Sequence, residues 1–114
     1  MKKIILLLAL ITALLIISGC GPDKEALAKC LTEKGFKMYG TYWCSHCQAQ
    51  KDMFGDAFKQ INYIECAIQG SDLPAEECTL AGIRGYPTWV LPDGSKQEGA
   101  ITLSQFQTIS GCPG

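Results

Sequence analysis

The chain carries one histidine, no surplus of basic charge, no internal repeat, no low-complexity tract and no apolar run of full membrane-spanning length. Ten Lys and Arg stand against eleven Asp and Glu, a formal charge of −1, so no broad basic field exists to hold nucleic acid. At 114 residues the chain has room for one domain and none for a multidomain enzyme. What it does have is 47 % hydrophobic residues, unevenly spread, and seven cysteines.

The uneven part is the beginning. Lys2 and Lys3 form a short positive start, and Ile4 to Ile17 is an apolar run broken only by Thr12. A membrane-spanning helix needs about 20 apolar residues, so the run fits the apolar region of a secretory signal peptide better than a span. Ile17-Ser18-Gly19-Cys20 places two small residues directly before a cysteine. That order resembles a bacterial lipobox, which implies residues 1–19 as a signal peptide, a lipid on Cys20 and a tether over 20–23. The competing reading is an uncleaved anchor helix with a chance cysteine. Both readings put the remaining domain, 24–114, outside the cytoplasm and tied to a membrane. The mature chain would number 95 residues with a net charge of −3. A domain of that size has a modest core, and small exported domains often compensate with disulfides.

With Cys20 assigned to lipid, Cys30, Cys44, Cys47, Cys66, Cys78 and Cys112 remain, an even number that suits an oxidising compartment. Cys44 and Cys47 form the obvious local pair. The other four allow three pairings.

The pattern turns helical at Asp23, a capping residue, and Gly35 supplies a left-handed stop. Leu27, Cys30 and Leu31 share a face. Residues 36–43 read as an aromatic-rich strand, and Cys44 opens a second helix to about Phe58, with Met53, Phe54, Ala57 and Phe58 facing the core. A strand over 61–66 and a loop over 67–74 follow. Pro74 belongs in the first turn of a short helix through Ala81, with Glu76 and Glu77 at its positive end. Gly82 to Pro87 is a tight connection. Strands over 88–91 and 96–100 flank a Pro92-Asp93-Gly94 turn, and Thr102 or Ser104 caps a last helix to about Ile109. The βαβ half implies a parallel pair and the ββα half a hairpin. The expected architecture is α/β: a four-stranded mixed sheet with helices on both faces and an extra N-terminal helix.

Trp43-Cys44-Ser45-His46-Cys47 is the chemical centre. A Cys-x-x-Cys at a helix start puts its first sulfur among free N–H groups at the positive end of the dipole, which favours a thiolate. The second sulfur lies one turn in, near enough to close a small disulfide. Whatever stabilises the thiolate stabilises the reduced form, so the couple is reversible. Cys44 is therefore the exposed attacking sulfur and Cys47 the shielded resolving one. His46, between them, would favour the Cys44 thiolate when cationic and push the couple towards oxidising behaviour; a solvated surface histidine is the plainer alternative. Metal is the rival chemistry. Structural zinc prefers two close Cys-x-x-Cys pairs, whereas Cys66 and Cys78 lie far apart and no second histidine exists, so no metal and no cofactor is assigned. A soft metal on Cys44, Cys47 and His46 is the better form of that rival. Gly85-Tyr86-Pro87-Thr88 is the second signal; taken alone, a trans proline opening a strand is the default.

With these residues together, the chain resembles the thioredoxin superfamily: Trp-Cys-x-x-Cys after a strand, then Gly82-Ile83-Arg84-Gly85-Tyr86-Pro87-Thr88. It is most similar to the thioredoxin-like domain associated with bacterial and plant homologues of vitamin K epoxide reductase. Leu31-Thr32-Glu33, Met38-Tyr39-Gly40, His46-Cys47-Gln48, Lys51, Met53-Phe54-Gly55, Glu65-Cys66 and Gly85-Tyr86-Pro87-Thr88-Trp89 carry that likeness, over roughly 25–112. The resemblance implies a thioredoxin-like fold and a cis Pro87 against the Cys44–Cys47 pair, with Trp43 and the Tyr86 backbone available to a substrate. It implies a structural Cys66–Cys78 disulfide, a loop worth ~3 kcal/mol by chain entropy, which leaves Cys30 with Cys112. It implies a thiol–disulfide oxidoreductase that oxidises client protein thiols and is reoxidised by a quinone-linked membrane partner, here on a separate chain. A monomer is expected. Two departures stand out. Met38 sits where typical members carry a buried acid, and Ser45 where many relatives have proline. The alternatives are a disulfide reductase or isomerase, an extracytoplasmic thiol-based metal carrier, and a structural domain whose Cys44–Cys47 disulfide never turns over.

Overall fold

The computed structural model describes residues 23–114; the expected signal peptide over 1–19 and the expected lipid site at Cys20 lie outside the described residues. The elements are α1 (Lys24–Lys34), β1 (Lys37–Gly40), α2 (Ser45–Phe54), a 3₁₀ helix (Gly55–Gln60), β2 (Tyr63–Glu65), α3 (Glu76–Leu80), β3 (Thr88–Val90), β4 (Lys96–Glu98) and α4 (Leu103–Ser110). The strands form one sheet in the order β2-β1-β3-β4. β1 runs parallel to β2, with Met38 opposite Tyr63 and Gly40 opposite Glu65. β3 is antiparallel to both β1 and β4. The result is the mixed four-stranded α/β sheet expected, consistent with a thioredoxin-like fold.

Strand alternation divides the molecule into two cores. Met38 and Trp89 point to one face and join Leu27, Leu31, Phe54 and Phe106 from α1, α2 and α4. Trp89 and Phe106 meet edge to face, ring centres 4.7 Å apart. Tyr39 points to the other face, where Cys66 and Cys78 pack with Ile64, Ile83 and Val90 beneath α3. Helices therefore cover both faces.

Several boundaries differ from expectation, each for a local reason. The first strand ends at Gly40, because Thr41 to Trp43 turn the chain and the Cys44 N–H donates to the Thr41 carbonyl at 3.3 Å. The second α-helix stops at Phe54, not Phe58. Gly55 takes φ +58°, which an L-residue rarely adopts, and the chain tightens into 3₁₀ geometry through Gln60. That 3₁₀ helix delays β2 until Tyr63. Pro74 lies before α3, not within its first turn; Ala75 is the N-cap. Gly99, at φ +92°, ends β4 early. Of the helical stripe, Phe54 and Ala57 are buried, while Met53 and Phe58 are half-buried.

Two disulfides staple the faces. Cys30–Cys112 joins α1 to the C-terminal end across 82 residues, and Cys66–Cys78 closes the loop before α3. Cys44 and Cys47 are free.

Candidate active site

The turn after β1 delivers Cys44 to the N-cap of α2 in an extended conformation. Its sulfur accepts the Cys47 N–H at 3.2 Å, the place a serine or aspartate oxygen usually fills. The sulfur thus sits against the unpaired donors and positive dipole end of α2, a setting that stabilises negative charge. It also donates to the Tyr86 carbonyl at 3.6 Å, from across the sheet. The Tyr86–Pro87 peptide is cis. Trp43, 65 % exposed, sets its ring edge-on to Tyr86 with centres 6.0 Å apart. The chain therefore brings Trp43, Cys44, Cys47, Tyr86 and Pro87 together from the two ends of the domain.

His46 stands exposed on the first turn of α2, and among the described residues its ring makes no hydrogen bond.

Cys44 is 9 % exposed, and Cys47 is completely buried. Burial pushes the Cys47 thiol up to about 12; the Cys44 sulfur adds to the rise, while the Thr41 backbone and the Lys51 charge oppose it. The two sulfurs thus face different surroundings: Cys44, expected to be exposed, is nearly buried among donors, because the Tyr86 carbonyl and the Trp43–Tyr86 pair close over it, and Cys47 is sealed beneath it.

Sequence reasoning gave no role to the residues around Cys47. Gly40 is bare because a Cβ there would lie 3.1 Å from the Cys47 sulfur and 3.1 Å from the Tyr63 ring. The Tyr63 hydroxyl donates to Glu65 at 3.1 Å, and the Lys51 ammonium sits 4.2 Å from the centre of the Tyr63 ring. Burial, then the neighbouring Glu65 charge, pushes the Tyr63 phenol upward. Gly40, Lys51 and Glu65 belong to the segments that carry the resemblance, but Tyr63 has no mark in the sequence. Its place depends on the β1–β2 register. Gln50 is likewise wholly buried. Its side-chain oxygen accepts from the Trp89 indole at 3.0 Å and the Ile101 N–H at 2.7 Å, and its amide donates to the Ile101 carbonyl at 3.0 Å. The available signal was a polar residue on the inward face one turn beyond Cys47.

Next to Cys44 in the chain and against Tyr86 runs a groove of about 230 Å³, lined by Thr41, Tyr42, Trp43, Tyr86, Cys66 and the 67–74 loop. Tyr42, Trp43, Ile68 and Leu73 expose apolar surface around it. The buried Thr41 hydroxyl has no hydrogen-bond partner among the described residues. Among the described residues no group of three or more His, Cys, Asp or Glu is placed to hold a metal, and no helix is long and apolar enough to cross a membrane.

No family profile matches the chain. It is 42 % identical over 100 residues to a thiol-disulfide oxidoreductase, LTO1, of Arabidopsis thaliana; the match covers 84 % of this chain and 26 % of that relative. The chain thus spans about a quarter of the relative's length.

Proposed function

We propose that the chain is an exported thiol–disulfide oxidoreductase, held to a membrane by lipid on Cys20, that oxidises client protein thiols through Cys44 and Cys47. A client thiolate attacks Cys44 of the closed pair. The Cys44–Cys47 bond breaks, Cys47 leaves with the electron pair and takes a proton, and a mixed disulfide joins the client to Cys44. A second client thiolate then attacks the client's sulfur in that bond and releases the Cys44 thiolate, so the client is oxidised and the pair reduced. A quinone-linked membrane partner of the vitamin K epoxide reductase type reoxidises it. Trp43, Tyr86 and Pro87 frame the client's approach, and the groove receives the chain beside its cysteine. His46 strengthens the field at Cys44 when cationic.

One observation carries this reading: the Cys44 sulfur lies at the N-terminal donors of α2, within 3.6 Å of the Tyr86 carbonyl, while Cys47 is sealed below. The likeness to a named thiol-disulfide oxidoreductase supports the same chemistry. Removing the resolving sulfur tests it. Cys47→Ser should accumulate covalent client complexes through Cys44, and Cys44→Ser should accumulate none. If neither variant traps a partner, the exchange reading fails. Equilibrating the pair with glutathione fixes direction: a couple more oxidising than glutathione supports client oxidation, and a strongly reducing one supports reduction instead.

A further inference from the structure

Each opening or closing of the Cys44–Cys47 bond makes Cys47 gain or lose a proton, yet Cys47 has no contact with water. On β1, the nearest strand, Met38 is fully buried and its thioether is no proton acceptor at neutral pH. The polar groups that face Cys47 come from three other places. Thr41 lies in the turn before α2, Cys44 and Lys51 flank Cys47 on α2 itself, and Tyr63, with Glu65 behind it, approaches from β2.

The β2 approach has a definite geometry. The Cys47 sulfur and the Tyr63 hydroxyl lie 3.1 and 3.4 Å from the point where a Cβ on Gly40 would sit. Without a side chain on Gly40, both groups crowd up to the same point beside its backbone. The Tyr63 hydroxyl already donates to Glu65 Oε1 at 3.1 Å, so its oxygen is free to accept. Glu65 is held by its other oxygen, which accepts the Ala67 N–H at 3.1 Å. Glu65 is half-buried and so meets solvent.

We propose that Tyr63 and Glu65 form a proton relay for Cys47, with Lys51 as its electrostatic support. The proposal rests on the oxidoreductase reading above. When Cys47 resolves a mixed disulfide, its proton passes to the Tyr63 oxygen while the Tyr63 proton passes to the Glu65 carboxylate. The sulfur electron pair forms the Cys47–Cys44 bond, the bond from Cys44 to the bound sulfur breaks, and that sulfur departs as a thiolate. Glu65 then releases its proton to water. The reverse order protonates Cys47 when the pair opens. Tyr63 passes the proton on and does not store charge, since desolvation of its half-buried phenol pushes it upward and it stays neutral. These are positioning residues: they act on the reaction through Cys47.

The reduced full chain, mixed rapidly with glutathione disulfide, forms a Cys44–glutathione adduct that Cys47 then closes. Quenched mass spectrometry separates the two steps. Tyr63→Phe keeps the ring beneath Lys51, and Glu65→Gln keeps an oxygen facing Tyr63. Both should slow closure at pH 7 by about 100-fold, the lower end of what a positioned proton-transfer group usually contributes. The deficit should shrink as pH rises and hydroxide replaces the relay, while adduct formation at Cys44 changes less than about twofold. Closure at the wild-type rate across pH in both variants would overturn the relay. So would a deficit that does not vary with pH, which marks mere structural damage. A wild-type chain that forms no adduct at all would instead overturn the oxidoreductase reading, so the two failures are distinct.

Discussion

Cys44 and Cys47 are three residues apart and chemically unlike, because a single turn of helix separates the donor-rich helix cap from the sealed core. Cys44 replaces the usual oxygen at the helix cap, while Cys47 keeps its proton up to about 12, chiefly through burial. An unfolded cysteine loses its proton near pH 8.5, so between that value and about 12 the unfolded chain binds fewer protons at this site than the folded one. The Cys47 contribution is therefore fully present below pH 8 and is lost as pH rises through this window. Urea unfolding of the reduced protein should show stability falling between pH 8 and pH 10, more steeply than in reduced Cys47→Ala. Equal slopes would show that Cys47 is not sealed. This difference between the sulfurs was legible in the sequence, since the strand, the cap and the Cys-x-x-Cys spacing are all local. Tyr63 and Gly40 were not legible as a unit. They meet only because β1 and β2 pair in parallel with one particular register, and a shift by one residue would turn Tyr63 to the opposite face.

At the scale of elements, order and type followed from periodicity and punctuation, whereas several ends were set by single glycines and turns. Gly35 and Gly111 both close helices in left-handed conformations. Gly55 does more, because it stops α2 and redirects the chain into the 3₁₀ helix that packs against α1. The apolar stripe Met53-Phe54-Ala57-Phe58 hides this stop, since spacings of three and four residues suit a continuous helix and a kinked one alike. Nothing lies within 4 Å of a Cβ added to Gly55, so the backbone alone decides the effect of a substitution. Gly55→Ala should cost about 1–3 kcal/mol, the strain of an L-residue held at φ +58° and ψ −135°, a backbone region that glycine alone adopts readily. Thermal denaturation would measure it. An unchanged melting temperature would mean that the α2 stop is set by packing and not by this φ.

For the whole molecule, the two disulfides divide labour between the two sides of the sheet. Cys30–Cys112 ties α1 to the end of the chain beside the larger core, and its 82-residue separation constrains most of the unfolded domain. Cys66–Cys78 spans 12 residues and holds the loop that walls the groove beside Cys44. Chain entropy assigns roughly 4–5 kcal/mol to the long link and about 3 kcal/mol to the short one. Function should rank them the other way. Replacing Cys30 and Cys112 by Ala should lower the urea midpoint more, yet leave the rate of thiol exchange with a small disulfide nearly intact below the new transition. Replacing Cys66 and Cys78 by Ala should cost less stability but loosen Ile68 and Leu73 at the groove. Turnover of a protein client should then fall, while exchange with glutathione persists, because glutathione needs only the Cys44 sulfur and a peptide needs the wall. If both double variants lost protein and glutathione turnover in equal proportion, the groove would have no part in client binding, and the short disulfide would serve stability alone.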